Sequence, residues 1–180
     1  MPGDSDPDPP ARTSQAEAGS PRRVIPTLWL ALGAIQTGVV AGLVALSYLA
    51  LDGLVRGDGP WFFLNLLGAT FYPQRALSLA FTTATVTGLA LHVAVSGFAG
   101  LIFAVVMRPC LAKPLRLLWL GALLGGVWYY VVFRYFWVRV DPAMVLYQPF
   151  PGVFLGHMVF GFCMGLYPRF LEQLPGLPRE

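Results

Sequence analysis

Apolar residues in this chain fall into four long blocks, and polar residues gather in the short breaks between them. The first block runs from about Pro26 to Val55, the second lies within Leu77–Met107, the third spans Leu117 to about Trp137, and the fourth runs from Val153 to about Leu166. Long stretches with so few charges predict helices that cross a bilayer, since a crossing needs about 20 mainly apolar residues at a rise of about 1.5 Å each. The breaks carry the residues that stop helices: Gly57-Asp58-Gly59-Pro60 after the first block, Arg108-Pro109 after the second, and Asp141, Pro142, Pro149 and Pro151 before the fourth. The expected fold is therefore all-α, an integral membrane four-helix bundle made of two helical hairpins.

Between the first and second helices lies Trp61 to Pro73, an apolar and aromatic stretch too short to cross. It is expected as an interfacial segment or a packed loop over the bundle. A re-entrant pore loop would require protein or water to satisfy its backbone. Residues 1–24, rich in Pro, Asp, Ser and Gly, are expected to form a disordered N-terminal tail, because they cannot bury enough surface to offset the entropy of ordering. Residues 25–170 make the four-helix transmembrane domain, and 171–180 a short C-terminal tail.

Composition agrees with a membrane protein: 56% of the 180 residues are apolar and only 12% are charged, more apolar surface than a soluble domain of this size could hide. The net charge of +3 comes from single and paired basic residues at the ends of apolar blocks, a pattern that signals topology and not nucleic-acid binding. Arg12, Arg22, Arg23, Arg108, Lys113, Arg116, Arg169 and Arg179 lie on one side, against Arg56, Arg75, Arg134 and Arg139 on the other. Eight against four places both termini in the cytoplasm and the protein in a plasma membrane of the bacterial inner-membrane kind. Asp52 and Arg56, four apart, are expected to pair at the end of the first helix. An Asp52–Arg134 pair is the alternative to Arg134 reaching the interface on its own.

The two hairpins share features that suggest an internal duplication. Gly33-Ala34 and Gly38-Val39 match Gly121-Ala122 and Gly126-Val127, and His92 and His157 are each followed eight residues later by Gly-Leu. The motifs Gly38-x-x-x-Gly42, Gly121-x-x-x-Gly125 and Gly161-x-x-x-Gly165 let helix backbones approach closely, within this chain or against another membrane subunit.

Candidate chemistry is sparse. The chain has two histidines, His92 and His157, and both fall inside predicted helices. An ionisable residue within a bilayer is costly and marks a candidate site, although a neutral imidazole can be satisfied by a hydrogen bond across the bundle. The sharp expectation is that His92 and His157 act as metal ligands, holding the iron of a b-type haem or another tetrapyrrole, with Arg134 and Arg139 pairing its carboxylates. Gly88, Ser96 and Gly97 near one histidine and Gly156 and Gly161 near the other would leave room for a flat cofactor. Cys110 and Cys163 have neither disulfide-framework nor metal-ligand spacing. No phosphate-binding glycine loop, no H-E-x-x-H and no catalytic Ser/His/Asp set is present, and no acid lies deep in a helix. The expected role is thus non-enzymatic: an accessory or structural subunit packed in lipid against a larger respiratory or photosynthetic membrane complex. A haem-binding electron carrier is the alternative, and a small transporter or channel the third reading.

Overall fold

Long unbroken apolar runs with good helix formers give this protein its helices, and the glycines and prolines between them set where each one stops. The computed structural model describes residues 27–108, 114–148 and 150–172. The N-terminal tail expected at 1–24, all but the first two residues of the C-terminal tail expected at 171–180, Cys110 and Lys113 lie outside them. Helix α1 covers Thr27–Arg56 and ends at a turn in which Gly57 and Gly59 both take positive φ, a conformation that only glycine adopts without strain. Helix α2, Phe62–Gly68, is followed by a 3₁₀ turn, Pro73–Arg75, and an extended stretch before α3, Thr83–Met107. Helix α4, Pro114–Val131, runs on through a wide π turn at Val132–Trp137 into the short α5, Val138–Val140. Then come α6, Pro142–Tyr147, α7, Phe150–Met164, and α8, Tyr167–Glu172.

Three helical segments are long and apolar enough to cross a membrane: α1, α3 and the continuous Leu115–Val140. Their outward faces are covered with exposed large apolar side chains such as Leu51, Val55, Phe98, Val105, Trp119 and Leu123, a surface suited to lipid. Helix α7, with 15 residues, is about 22 Å long, short of the roughly 30 Å hydrocarbon thickness. It is the shortest of the four expected crossings.

The helices are joined by glycine. Helix α1 packs antiparallel to α3, and α4 packs antiparallel to α7, while α1 also lies along α7; α2 covers the first half of α3. At the α1–α3 seam a Cβ on Gly38 would meet the Ser96 carbonyl oxygen and the Gly100 backbone, and one on Gly100 would meet the Ala34 carbonyl. At the α4–α7 seam, Gly121 faces the Gly161 carbonyl and Gly165, and Gly125 faces the His157 carbonyl and Gly161. All three glycine-x-x-x-glycine motifs therefore pack within this chain. The two seams match when Gly38 is equated with Gly121 and Gly100 with Gly165, and in that register His92 corresponds to His157. The match of Gly38 to Gly126 read from the sequence is not part of it, because Gly126 faces the Phe154 ring and Met158 away from the backbone seam.

One end of the bundle carries most of its polar structure. Arg56 pairs with Asp52 as expected, Nε to Oδ2 at 3.0 Å, and its Nη1 reaches Asp58 Oδ2 at 2.7 Å. The Asp52 carboxylate also lies against Gly152 in the first turn of α7, where the helix dipole favours an anion. Arg134 is exposed and forms no ion pair with Asp52 among the described residues. At the start of α3, the fully buried Asn65 of α2 uses its whole side chain: Nδ2 donates to the Ser78 and Ala80 carbonyls at 2.7 and 2.9 Å. Its Oδ1 accepts from Thr82 Oγ1 at 3.1 Å and Thr85 Oγ1 at 2.6 Å.

Asp141 stands at the N-cap of α6, with Oδ1 accepting from the Ala143 N–H at 3.1 Å, ahead of a proline at the first helical position. Its Oδ2 is buried with no partner among the described residues. Burial raises the Asp141 carboxyl above the usual carboxylate range, and the Ala143 hydrogen bond only partly opposes this. A folded-state pKa above the unfolded one favours the protonated acid, so stability is fully present below the unfolded value near pH 4 and is lost as pH rises through the folded value. Asp141→Asn keeps a good N-cap without the buried charge. It is expected to raise the thermal midpoint at pH 7 and to flatten the fall in midpoint between pH 4 and 7 that the parent shows. Equal pH profiles for the two proteins would show that the carboxylate is solvated.

Candidate functional site: an intrabundle cavity between two histidines

Because α1 packs against both α3 and α7, and α4 packs mainly against α7, helices α3 and α4 do not close on each other along their whole length. The space between them is a cavity of about 480 Å³. Helix α1 contributes Ala45 and Leu49 to its wall, and α2 and α6 roof it with Phe63, Leu67 and Met144. Val95, Val131 and Phe136 line it and remain exposed, which marks the opening between α3 and α4. The aromatic residues where α4 runs into the π turn are divided. Phe133 and Trp137 turn inward and are buried, while Tyr130 and Tyr135 stay outside. The wide π turn lets successive aromatics reach the cavity, since Val132, Phe133, Phe136 and Trp137 all line it.

His92 and His157 both line this cavity. His92 Nε2 lies 2.9 Å from the Gly42 carbonyl oxygen of α1, where the missing side chain at Gly42 makes room for Ser96 one turn further along α3. His157 Nδ1 lies 2.9 Å from the Val153 carbonyl oxygen one turn back on its own helix. Aromatic rings set both imidazoles edge-on: Phe63 against His92 at 6.0 Å between centroids, and Tyr129 and Phe133 against His157 at 5.5 and 5.9 Å.

The two histidines relate to different levels of α1: His92 bonds to Gly42, whereas Gly156, next to His157, packs against Leu49. Those positions on α1 are seven residues apart, about 10 Å along the axis. The structure thus brings both histidines to one cavity. Neither Arg134 nor Arg139 lines the cavity, and Arg139 Nη1 donates to the Tyr135 carbonyl at 2.6 Å. Of the small residues expected to make room, Ser96 and Gly156 do line it. Gly88 and Gly97 serve helix contacts instead, against the Leu64 carbonyl and against Ile35 and Val39, and Gly161 serves the α4–α7 seam.

The wall formed by α2 was not foreseen as part of a site. A run of apolar residues too short to cross was its only signal, and all seven residues of α2 are buried. No family model, no curated protein and no solved structure matches the chain.

Proposed function

We propose that this chain is a non-catalytic integral membrane protein that crosses the bilayer four times, with both termini cytoplasmic, and holds a hydrophobic small molecule between α3 and α4. The cavity carries this reading: about 480 Å³ of largely apolar space against which both histidines of the chain are placed. Ligand sites are commonly apolar clefts of about 300–1,000 Å³ with a few polar groups that fix orientation.

Such a protein would serve as an accessory component of a larger membrane assembly. Since its glycine motifs are engaged internally, neighbouring subunits would meet the apolar outer faces of α3 and α4.

The test is binding of a polarity-sensitive apolar dye to the detergent-purified protein. Saturable binding of one dye per chain is expected, weakened at least about tenfold by Val132→Trp, which fills the cavity from α4. Dye uptake no different from that of protein-free micelles would refute the reading.

A further inference from the structure

The hydrogen bonds of the two histidines fix what each presents to the cavity. Both partners, the Gly42 and Val153 carbonyl oxygens, can only accept, so the bonded nitrogen must carry the proton: Nε2 in His92 and Nδ1 in His157. A neutral imidazole has one N–H. The remaining nitrogens, Nδ1 of His92 and Nε2 of His157, are therefore bare lone pairs, and neither makes a hydrogen bond among the described residues.

Two bare acceptors in a largely apolar cavity are complementary to a ligand that donates, and of the donors that also line it the Thr70 hydroxyl is engaged with the Leu67 carbonyl. The lining adds three constraints. No Lys, Arg, Asp or Glu lines the cavity, which suits an uncharged molecule and leaves ligand carboxylates unpaired. Phe63, Phe133, Phe136, Trp128 and Trp137 give it an aromatic wall. Gly42, which bonds His92, and Leu49, which packs beside Gly156, are about 10 Å apart along α1, and a ring with two hydroxyls para to each other, making an O–H···N bond of about 2.8 Å at each end, reaches roughly 11 Å from nitrogen to nitrogen.

Building on the ligand-binding reading above, we infer that the cavity binds a hydroquinone-class lipid, an uncharged aromatic diol on an apolar tail, with one hydroxyl donating to His92 Nδ1 and the other to His157 Nε2. The oxidised quinone has carbonyls in place of both hydroxyls and would set oxygen lone pairs against nitrogen lone pairs. The site therefore distinguishes the two redox states of the same molecule. It prefers the reduced one.

The experiment is competition against the bound dye by a short-tailed hydroquinone, its quinone and its dimethyl ether, with the protein in detergent. The hydroquinone should displace dye at a concentration at least about tenfold below either of the others, as expected when the others leave the acceptors unpaired. His92→Phe and His157→Phe should each reduce this preference while retaining dye. Equal displacement by all three compounds, with dye bound normally, would overturn the hydroquinone assignment and leave the cavity reading intact; failure of the dye to bind at all would overturn both.

A second measurement does not depend on variants. With only two histidines in the chain, ¹⁵N-histidine NMR should resolve one Nε2–H and one Nδ1–H ring, and the bare nitrogen of each should shift on adding hydroquinone and not on adding quinone. Two rings of the same tautomer would refute the inference. So would added haem giving a Soret band that His157→Ala abolishes, since that makes Nε2 a metal ligand.

Discussion

Gly100→Ala is expected to destabilise the protein by about 1–2 kcal/mol, a large loss for the smallest change a glycine can undergo. The added methyl would meet the Ala34 carbonyl oxygen and, at 3.1 Å, the Gly38 Cα, and both are backbone atoms. A flexible side chain could move aside, but here α1 and α3 must separate, and their packing loosens on both sides of the crossing. Overpacking of this kind costs about 1–3 kcal/mol, and alanine's better helix propensity returns no more than about 1. Gly161→Ala at the α4–α7 seam meets the Gly121 carbonyl and, at 2.9 Å, the Gly125 nitrogen, and should behave alike. The control is Gly97→Ala, whose methyl would meet only the Ile35 and Val39 side chains at 3.4 and 3.5 Å, so it should be neutral or slightly stabilising. Denaturant titration of the detergent-solubilised variants measures the difference. If Gly100→Ala unfolds with Gly97→Ala, the seam does not bring the backbones together as described.

Asn65→Leu should produce the second large effect, about 2–4 kcal/mol, and a local one. Leucine is close in size but strips four hydrogen bonds at once, leaving the Ser78 and Ala80 carbonyls and the Thr82 and Thr85 hydroxyls to find other partners in partly buried surroundings. Amide exchange should accelerate in residues 76–82 and the first turn of α3, with α4 and α7 unchanged. Exchange that rises uniformly would show that Asn65 supports the whole bundle and not this connection alone. Thr85 depends on the same network, because its hydroxyl also accepts from the Thr82 N–H at 2.8 Å.

The contrast between these two residues explains what could be read from the sequence. Glycine spacing repeats along the chain, so Gly38, Gly121 and Gly161 announced close helix contacts, although not which helices they would join. Asn65 announced nothing: its four partners lie 13 to 20 residues away, and a single asparagine in an apolar stretch carries no periodic signal. Helix limits behaved in the same way. The start of α1 was legible within a residue, and α3 fills the Leu77–Met107 block only from Thr83, because Asn65 bonds the Ser78 and Ala80 carbonyls just before it. Helix α6 could have been found from Asp141-Pro142, a capping acid followed by a proline suited to the first turn.

For the site, both histidines were legible as residues out of place in an apolar helix. Their facing a common space was not, since it depends on how α1 lies between α3 and α7. The π turn was equally hidden, and it is what carries part of the aromatic run of α4 inward. The deep position of Asn65 and the glycine seams together fix the relative heights of α1, α2 and α3, and so the height of His92.

The open seam between α3 and α4 has a kinetic meaning. A molecule entering there would arrive from the acyl-chain region without passing through water, so its encounter rate would follow its mole fraction among the lipids and not its aqueous concentration. Diluting the protein into more lipid at constant total ligand would then lower occupancy, whereas diluting the whole suspension with buffer would leave it unchanged.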